Sequence, residues 1–501
     1  MMKPFLISAF FFLAILIELG VIVGFILLLH RGVKRRNRVD RVKGFVLLGA
    51  GSFISLIIAL PSAAYLYTEE LWYEHLGYSQ VLWTLLMARW KLFFLYGGIS
   101  ACFMLVNLFI AKAICPVPLA FRRWADQGTK AFHRMVVIVI LLISTILGIV
   151  AVPFWQDYLM DRNRVEVGDK DPIFNKDIGF YMFSLRFRDF TTIWMKALVW
   201  LSGGLLLWVY NFYSNRDPQS LIRARSGILY HGTALWIIAL IVSVLRSRIS
   251  IWKTLFSTRG TVYGVGYAEA HAHIPALKAH IVILILIGLV LLINLKYRKR
   301  IIWLAACAVW LSSYLFGVQL YPFLVQEFRV KPTERVLELE YLSKNIEMTR
   351  RAYGLNMIEE ETGVVKKLAT LDVIRRNQWI LDNMQLWDRK ALYKTLTDLQ
   401  ELRPYYSFYD VDVDRYMVNG RYRQVMIAAR ELNPERIPKF ARTWVNMRLK
   451  YTHGYGVVVV PVNEFTPEGR PNYWVRDIPP VSSYPEFTIT QPEIYFGEMT
   501  K

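Results

Sequence analysis

Eight long apolar runs constrain this 501-residue chain more than any other feature of its sequence. A stretch of about 20 apolar residues is enough to carry a helix across the hydrocarbon core of a bilayer. The sequence therefore predicts an α-helical polytopic membrane bundle, or transmembrane domain, over residues 1–325. The predicted spans lie near residues 5–29, 44–66, 92–114, 135–154, 193–212, 228–245, 277–295 and 301–325.

The charges between these runs predict the direction of each span. Loops rich in Lys and Arg are retained in the cytoplasm. The last short loop, 296–300, carries four such residues, so span 301–325 is predicted to leave the cytoplasm. We therefore expect a multi-pass protein of the cell membrane with its N-terminus and residues 326–501 on the extracytoplasmic side. The loops predicted to be cytoplasmic are 30–43, 115–134, 213–227 and 296–300.

The segment 246–276 departs from this rule, because it places several basic residues on the predicted outer side. Within it, residues 249–256 combine an apolar face with basic flanks, which predicts a helix lying flat at the membrane surface. The basic residues of the segment are Arg246, Arg248, Lys253 and Arg259.

Residues 326–501 have a mixed composition that predicts an α+β extracytoplasmic domain. Asn419-Gly420 between two alternating runs is a strong hairpin signal. Asp388 stands where a helix N-cap is expected. The predicted elements are helices at 338–353, 388–402 and 434–451, the last with a candidate break at Pro438, a hairpin of strands 411–418 and 422–428, and a buried strand at 457–460.

Charge and cysteine content exclude two classes of function. The net charge of +21 lies almost entirely in loops between apolar runs, where it fixes topology, so no nucleic-acid partner is predicted. The three cysteines, Cys102, Cys115 and Cys307, lie in or beside apolar runs, so the second domain has no disulfide framework or thiolate metal site. No cofactor is predicted. The predicted partner is the lipid bilayer, with envelope lipids and other membrane proteins as further candidates.

A series of long motifs follows in order along the chain. Two of them are Asp-Pro-Ile-Phe-Asn-Lys-Asp-Ile-Gly-Phe-Tyr at 171–181 and Tyr-Thr-His-Gly-Tyr-Gly at 451–456; the others lie within 264–277, 345–355, 405–416, 443–464, 477–480 and 494–498. With these motifs the chain resembles the large bacterial membrane proteins of uncharacterised protein family 0182 of the UPF series. The resemblance implies an integral membrane protein with a large extracytoplasmic portion, and it brings no established activity, catalytic residue or ligand. It also implies a common set of seven spans, to which 5–29 is additional, and a C-terminal truncation at Lys501.

Three carboxylates at alternate positions form the first candidate site. In an extended strand, Asp410, Asp412 and Asp414 share one face, where a hard cation such as calcium could bind them. The segment is not an EF-hand loop, since Arg415 stands where Gly is needed. Ion pairs with nearby arginines are the alternative explanation.

A second candidate site precedes the seventh predicted span. Glu269, His271 and His273 are metal-capable side chains at alternate positions, and three such ligands could bind zinc or another divalent cation. The alternative is that the two histidines are interfacial residues at a membrane boundary.

The third candidate site is centred on His453. Because histidine titrates near neutral pH, His453 could act in acid–base catalysis with Asp477 or Glu464. The alternative is a structural turn, in which Gly454 and Gly456 supply positive φ angles.

Three functions follow from these features. The preferred one is a non-enzymatic cell-envelope protein whose outer domain binds lipid, polymer or another protein. The second is a membrane-tethered hydrolase that uses His453, and the third is a transporter or channel subunit. The third function depends on the polar residues Glu18 and 269–273. Lys196 and His231 are the other ionisable residues within spans, but these residues do not form a chain of ionisable groups across several spans, which an ion-coupled carrier would need.

Overall fold

The computed structural model divides into two compact units, Met1–Glu359 and Glu360–Lys501. The boundary predicted at residue 325 lies inside the first unit. The residues that the structure describes are 7–10, 13, 14, 17, 18, 21, 22, 24–26, 28, 38–115, 126–216, 218–260, 263–363 and 370–499.

The first unit is built of helices. Its α-helices are α1 (Arg38–His75), α2 (Ser79–Ile114), α3 (Asp126–Ala151), α4 (Trp155–Arg162), α5 (Leu185–Arg216), α6 (Pro218–Lys253), α7 (Ile274–Tyr297), α8 (Arg300–Ser312), α9 (Tyr321–Val325), α10 (Glu334–Leu337) and α11 (Leu339–Ala352). Segments of π-helix lie at Phe180–Ser184, Glu269–His273, Ser313–Leu320 and Gln326–Val330, and 3₁₀ turns at Val152–Phe154, Thr254–Phe256, Lys331–Thr333 and Leu355–Met357.

Seven helical runs in the described part of the chain are long and apolar enough to cross a membrane. They match the second to the eighth predicted spans in order. Eleven of the 25 residues of the first predicted span, 5–29, lie outside the described residues. The candidate spans are Val42–His75, Ser79–Ile114, Gly128–Arg162, Phe180–Asn215, Ala224–Phe256, Glu269–Tyr297 and Arg300–Leu337.

The candidate spans extend beyond the apolar runs that predicted them. Helix α6 continues to Lys253 and ends in the turn Thr254–Phe256, so the predicted separate surface helix at 249–256 is wrong. Its apolar face is not available to a membrane surface, because Ile249 and Ile251 are buried against the rest of the first unit.

The main core of the first unit lies between α2, α3 and α5. Aromatic rings supply much of its packing: Phe132 stacks on Phe212 with centroids 3.6 Å apart. Phe154 stacks on Phe190 at 3.9 Å. Such stacked pairs add about 0.5–1.5 kcal/mol each beyond the burial of their area.

The second unit combines short helices with small antiparallel sheets. Its α-helices are α12 (Leu371–Arg376), α13 (Gln378–Leu381) and α14 (Arg389–Gln400). Its strands are β1 (Tyr406–Ser407), β2 (Asp412–Val418), β3 (Arg421–Ala429), β4 (Glu431–Leu432), β5 (Gly454–Tyr455), β6 (Val457–Pro461), β7 (Val475–Arg476), β8 (Val481–Ser482) and β9 (Glu493–Ile494). They form a five-stranded sheet in the order β2-β3-β6-β7-β8 and the two-stranded pairs β1-β4 and β5-β9.

Strand β6 is apolar along its length because both faces of the sheet are covered. Val458 and Val460 pack into a core with Leu392 and Leu396 of α14. Val459 faces the opposite core, which contains Trp474. The predicted buried strand is thus confirmed.

Other local predictions for this unit are also confirmed. Strands β2 and β3 pair antiparallel around Asn419 and Gly420, whose φ angles of 50° and 72° are those of a tight hairpin turn. Asp388 caps α14 by accepting a hydrogen bond from the Ala391 N–H at 3.0 Å. The helix predicted at 338–353 is α11, Leu339–Ala352.

The helix predicted at 434–451 is wrong. This stretch contains only the short turns Pro434–Arg436, Lys439–Ala441 and Asn446–Lys450. The predicted helix is broken at Pro438, the candidate break, because proline has no N–H to donate to the ladder of backbone hydrogen bonds. Side chains then bind the backbone in place of helical partners: Arg442 donates to the carbonyls of Ile437 and Glu435.

Candidate functional site

A cavity of about 460 Å³ in the first unit is the strongest candidate site. It is lined by Arg259, by the start of the sixth candidate span and by residues 315–327 of the seventh. We call it the Glu269 cavity. Its polar lining residues are Arg259, Glu269, Gln319, Gln326 and Glu327, and its apolar ones are Ala268, Leu315, Leu320, Pro322 and Phe323.

Three segments of π-helix contribute to the cavity or adjoin it: Glu269–His273, Ser313–Leu320 and Gln326–Val330. Prolines explain why these segments form. Each segment is followed closely by a proline: Pro275, Pro322 and Pro332 in turn. A proline ring clashes with the carbonyl four residues earlier, and that residue lies inside the preceding π segment in all three cases. Widening the helix there relieves the clash. Such widened turns occur frequently at functional sites.

Glu269 is the buried charge of the cavity, with 1% of its surface exposed. Its Oε1 accepts a hydrogen bond from the Ser257 hydroxyl at 2.7 Å, and its Oε2 accepts the Gly266 N–H at 3.4 Å. The second of these bonds is long, so one carboxylate oxygen is only weakly satisfied. An ionisable group at such a position is costly and commonly marks a functional site.

Gln326 adds a second hydrogen-bond acceptor to the same cavity. The side chain is 8% exposed, and its Oε1 has no hydrogen-bond partner within the described ranges of the chain. A buried amide oxygen without a donor costs about 1–3 kcal/mol. The cavity therefore presents two buried oxygen groups, Glu269 and Gln326, that can both accept hydrogen bonds.

Glu338 forms a second buried carboxylate behind the cavity lining, with 4% of its surface exposed. Both of its oxygens lie 3.2 Å from the Tyr267 backbone nitrogen, whose N–H they share. Burial raises the pKa of Glu338 above its ordinary value, and the negative charge of Glu269 adds to this effect, while the Tyr267 N–H opposes it. Two carboxylates thus face the backbone of Gly266 and Tyr267 from different sides.

The two histidines of the predicted metal site have different partners. Arg259 donates to His273 Nδ1 at 2.7 Å; because arginine can only donate, that nitrogen is the acceptor. His271 stacks on Tyr267 with centroids 4.2 Å apart. With Glu269 bound to Ser257, the three side chains do not converge on one point.

No group of three or more His, Cys, Asp or Glu residues is placed to hold a metal ion in the described part of the chain. In the second unit, Arg389 lies 3.7 Å from the Asp410 carboxylate and 3.3 Å from that of Asp412. Asp414 accepts the Tyr416 hydroxyl at 2.7 Å. The divalent-cation sites at these aspartates and at Glu269, His271 and His273 stay predictions.

Comparison with known proteins places the chain in a family. A family model described as Uncharacterised protein family (UPF0182) matches residues 46–501. A UPF0182 protein of Pelotomaculum thermopropionicum is 36% identical over 484 residues, which cover 91% of this chain and 52% of that protein. A UPF0182 protein of Synechococcus sp. (strain JA-2-3B'a(2-13)) is 36% identical over 482 residues, covering 91% and 54%.

The chain belongs to the UPF0182 family. The resemblance inferred from the motifs is thus confirmed. The chain spans about half the length of these relatives. No solved structure matches it.

In the second unit of this UPF0182 protein, the three residues of the predicted catalytic group bind different partners. His453 Nδ1 donates to the Gly454 carbonyl at 2.8 Å, and its ring lies 5.1 Å from that of Tyr495. Glu464 binds Arg423 and Asn472. Asp477 binds Gln400 and Arg476. Their catalytic roles stay predictions.

His453 lines a cavity of about 690 Å³ in that unit. Two exposed tyrosines, Tyr409 and Tyr495, line it as well. Nearby, the buried Glu431 carboxylate accepts the N–H groups of Glu498 at 2.9 Å and Met499 at 2.7 Å. Several of the family motifs therefore meet around this cavity.

Sequence reasoning missed Arg430, whose side chain is 0% exposed. Its Nε donates to the Gln400 carbonyl at 2.5 Å, its Nη2 to Gln400 Oε1 at 2.8 Å, and its Nη1 to the Tyr455 carbonyl at 3.4 Å. Burial lowers the pKa of Arg430 to about 10, an effect that the negative charge of Asp477 partly opposes. No local pattern identifies this residue, because its partners lie far away in the sequence.

Of the ionisable residues flagged within predicted spans, two have defined partners. Glu18 Oε1 accepts the Ser52 hydroxyl at 2.7 Å. His231 connects Tyr210 and Asn107, at 2.7 Å and 2.9 Å, and so links three helices. The contacts of His231 favour a structural role for it, whereas Glu18 Oε2 is buried without a hydrogen-bond partner among the described residues.

Proposed function

We propose that this UPF0182 protein is a non-enzymatic protein of the bacterial cell membrane that binds a lipid with a primary ammonium headgroup in the Glu269 cavity. The observation that carries the proposal is the pair of buried acceptors, the Glu269 carboxylate and Gln326 Oε1, in one cavity with an apolar edge.

The chemistry of these acceptors selects the headgroup. A carboxylate and an amide oxygen need a ligand that donates hydrogen bonds, and a positive charge compensates the buried negative one. A primary ammonium group provides three N–H donors and a positive charge. At the edge of the cavity, the Arg259 guanidinium is available to contact a lipid phosphate.

The apolar edge of the cavity favours a lipid over a small soluble amine. Phe323 is 56% exposed, and Leu315 and Leu320 are exposed as well, although all three belong to a candidate membrane span. Exposed apolar side chains on a spanning helix face hydrocarbon in a bilayer. Acyl chains can therefore lie along Phe323 and Leu320 while the headgroup enters the cavity.

We also propose that the Glu269 cavity lies at the extracytoplasmic end of the spans and that residues 360–501 are extracytoplasmic. Contacts between loops support the grouping of the loops into two sides, and the Lys/Arg bias of the loops gives the direction. Arg298, in the loop predicted to be cytoplasmic, donates to Ser226 at 3.0 Å and Tyr230 at 3.2 Å, at the end of another predicted cytoplasmic loop. On the opposite side, Arg351 lies 3.3 Å from Asp169, which joins two segments predicted to be outside.

Lipid selectivity of the purified protein tests the ligand assignment. The protein is titrated in detergent with phosphatidylethanolamine or phosphatidylcholine of identical acyl chains, and bound lipid is counted by native mass spectrometry. Phosphatidylcholine has no N–H donors, so we expect it to bind about tenfold more weakly, as the loss of one charged hydrogen bond predicts. Equal binding of the two lipids contradicts the proposal.

Isosteric variants locate the effect. Glu269→Gln and Gln326→Leu should each remove the preference for phosphatidylethanolamine. Glu340→Gln changes an exposed carboxylate paired with Lys344 and serves as the matched control. A preference that survives both cavity variants would place the lipid elsewhere.

The cavity beside His453 favours a second candidate function, binding of an envelope polymer. Its exposed tyrosines can stack on sugar rings, while Asn433 and Thr452 offer hydrogen bonds. A pull-down of the full chain on immobilised cell-wall glycan tests it, with Tyr409→Ala and Tyr495→Ala expected to reduce retention. Retention that is unchanged in both variants rejects this function.

The other two functions have less support. The hydrolase lacks an assembled acid–base group, since His453, Glu464 and Asp477 bind different partners. The transporter lacks a continuous polar path among the described residues, because Glu18 and His231 are each bound within the helix bundle.

A further inference from the structure

A cluster of cations surrounds Lys176, in the loop between the third and fourth candidate spans. The Lys176 ammonium lies 4.1 Å from the ring centroid of Phe180 and 4.5 Å from that of Trp252. The guanidinium groups of Arg188 and Arg248 lie 5.4 Å and 5.3 Å from the same two rings. One aromatic pair therefore holds three cations together.

Two carboxylates of the same loop, Asp171 and Asp177, accept hydrogen bonds from its backbone N–H groups. Asp171 accepts the N–H groups of Ile173, Phe174 and Lys176 and the hydroxyl of Tyr181. Asp177 accepts the N–H groups of Val167, Gly168 and Gly179. These backbone hydrogen bonds hold the pKa of Asp177 below its ordinary value, which keeps it ionised in this role. Both aspartates position Lys176 without forming a short ion pair with its ammonium.

The basic residues at this membrane boundary differ in how far they are neutralised. Asp189 binds both Arg246 and Lys253. Arg188 has a looser partner, Asp161, at 3.7 Å. By contrast, several basic residues here have no ion-pair partner among the residues that the structure describes. Arg164, Lys176 and Arg248 are three of them.

The charges of the neighbouring arginines disfavour the charged form of Lys176. Burial lowers its pKa, and the positive charges of Arg188, Arg248 and Arg164 lower it further, while Asp171 opposes them more weakly. Like charges held this close are unfavourable unless an anion shares them. We call Arg164, Lys176, Arg188 and Arg248 the Lys176 cluster.

We propose that the Lys176 cluster binds a phosphate group at the membrane boundary. Guanidinium groups match two phosphate oxygens at once, and an ammonium adds a compact positive charge. The rings of Phe180 and Trp252 lie beside these cations. Tryptophan is enriched at membrane interfaces, where lipid phosphates lie. This site uses none of the residues of the Glu269 cavity and is independent of the function proposed for it.

Binding of two phosphate sources tests the site. The full chain in detergent at low ionic strength is titrated with inorganic phosphate or with phosphatidylglycerol, each against a phosphatidylcholine background. Native mass spectrometry counts bound lipid, and competition by inorganic phosphate reports the free anion. The test variants are Lys176→Gln and Arg248→Gln. The matched control is Lys253→Gln, which removes an equal charge from the same boundary, where Asp189 already neutralises it.

We expect each test variant to weaken binding about tenfold and the control to change it less than twofold. Displacement of phosphatidylglycerol by millimolar inorganic phosphate identifies a free-phosphate site; lipid binding that resists it identifies a lipid-headgroup site. Equal losses in test and control variants, or no binding of either probe to the native protein, overturn the proposal. Unchanged elution volume and circular dichroism show that the variants are folded.

Discussion

The carboxylate of Glu338 lies 2.8 Å from the point where a Cβ atom on residue 266 would stand, so a larger residue there has to displace this carboxylate. The contact joins the start of α11 to the segment that carries Glu269. It also brings the Tyr267 N–H to the Glu338 oxygens at 3.2 Å. The geometry of the Glu269 cavity thus depends on a residue outside it.

Gly266→Ala should destabilise the first unit. The added methyl group displaces the Glu338 carboxylate and breaks its bond to the Tyr267 N–H, at a cost of about 1–3 kcal/mol. The apparent melting temperature of the detergent-solubilised protein measures this. Gly98→Ala is the matched control, since a Cβ there has no atom within 4 Å and should be neutral or slightly stabilising.

Coupling between the two residues can be tested directly. In a Glu338→Ala background the clash is gone, so Gly266→Ala should cost much less than in the native protein. A cost that is the same in both backgrounds would show that the backbone conformation, and not the carboxylate, requires glycine.

Glu338→Gln should change how stability depends on pH. Because the pKa of Glu338 is raised in the folded protein, the folded state holds this proton more tightly than the unfolded state does. The neutral carboxyl therefore contributes to the free energy of unfolding. This contribution is complete below the ordinary glutamate pKa and is lost as the pH rises through the raised pKa of the folded protein.

The comparison of native protein and Glu338→Gln between about pH 4 and pH 8 measures this effect. The amide cannot ionise, so the variant should gain relative stability as the pH rises. A difference in melting temperature that does not vary with pH would contradict the assignment.

Arg430→Met should destabilise the second unit by about 1–3 kcal/mol for each buried acceptor that is left without a donor. It removes the Arg430 donor from the Gln400 carbonyl and the Tyr455 carbonyl, while Gln400 Oε1 keeps a second donor, the Asp477 N–H at 2.9 Å. Arg430→Lys should recover little of the lost stability, because one ammonium group cannot reproduce the hydrogen bonds of the planar guanidinium group.

Hydrogen–deuterium exchange on the full chain is the measurement for Arg430. Peptides that contain Gln400, Tyr455 and Asp477 should exchange faster in both variants, while peptides of α2 and α3 stay unchanged. Faster exchange spread evenly over the whole chain would indicate general misfolding and not the loss of this contact.

Local patterns predicted most of the secondary structure. Seven spans follow from apolar length, and the hairpin follows from Asn419-Gly420, because these signals act over neighbouring residues. The helix predicted at 434–451 failed because Pro438 removes a backbone donor inside the run, and side chains such as Arg442 then bind nearby carbonyls.

The candidate site was only partly predictable. Glu269 was identified from its sequence context, but Gln326 was not, since nothing nearby in the sequence indicates that its amide is buried. The two meet because prolines widen their helices and tertiary packing aligns them. Arg430 was missed for the same reason, as its partners Gln400 and Tyr455 are distant along the chain.

The proposed orientation predicts which positions a membrane-impermeant maleimide reaches in intact cells. Single cysteines replace Ser343 in α11, the exposed Ser483 in the second unit, and Tyr297, in the predicted cytoplasmic loop region, after the three native cysteines are changed to serine. One candidate span, Arg300–Leu337, separates positions 343 and 483 from Tyr297, so they lie on the opposite, extracytoplasmic side in the proposed orientation. Positions 343 and 483 should therefore be labelled without permeabilisation. Position 297 should be labelled only after the membrane is opened. Labelling of position 297 in intact cells, with 343 and 483 protected, would invert the orientation and place the Glu269 cavity at the cytoplasmic end of the spans.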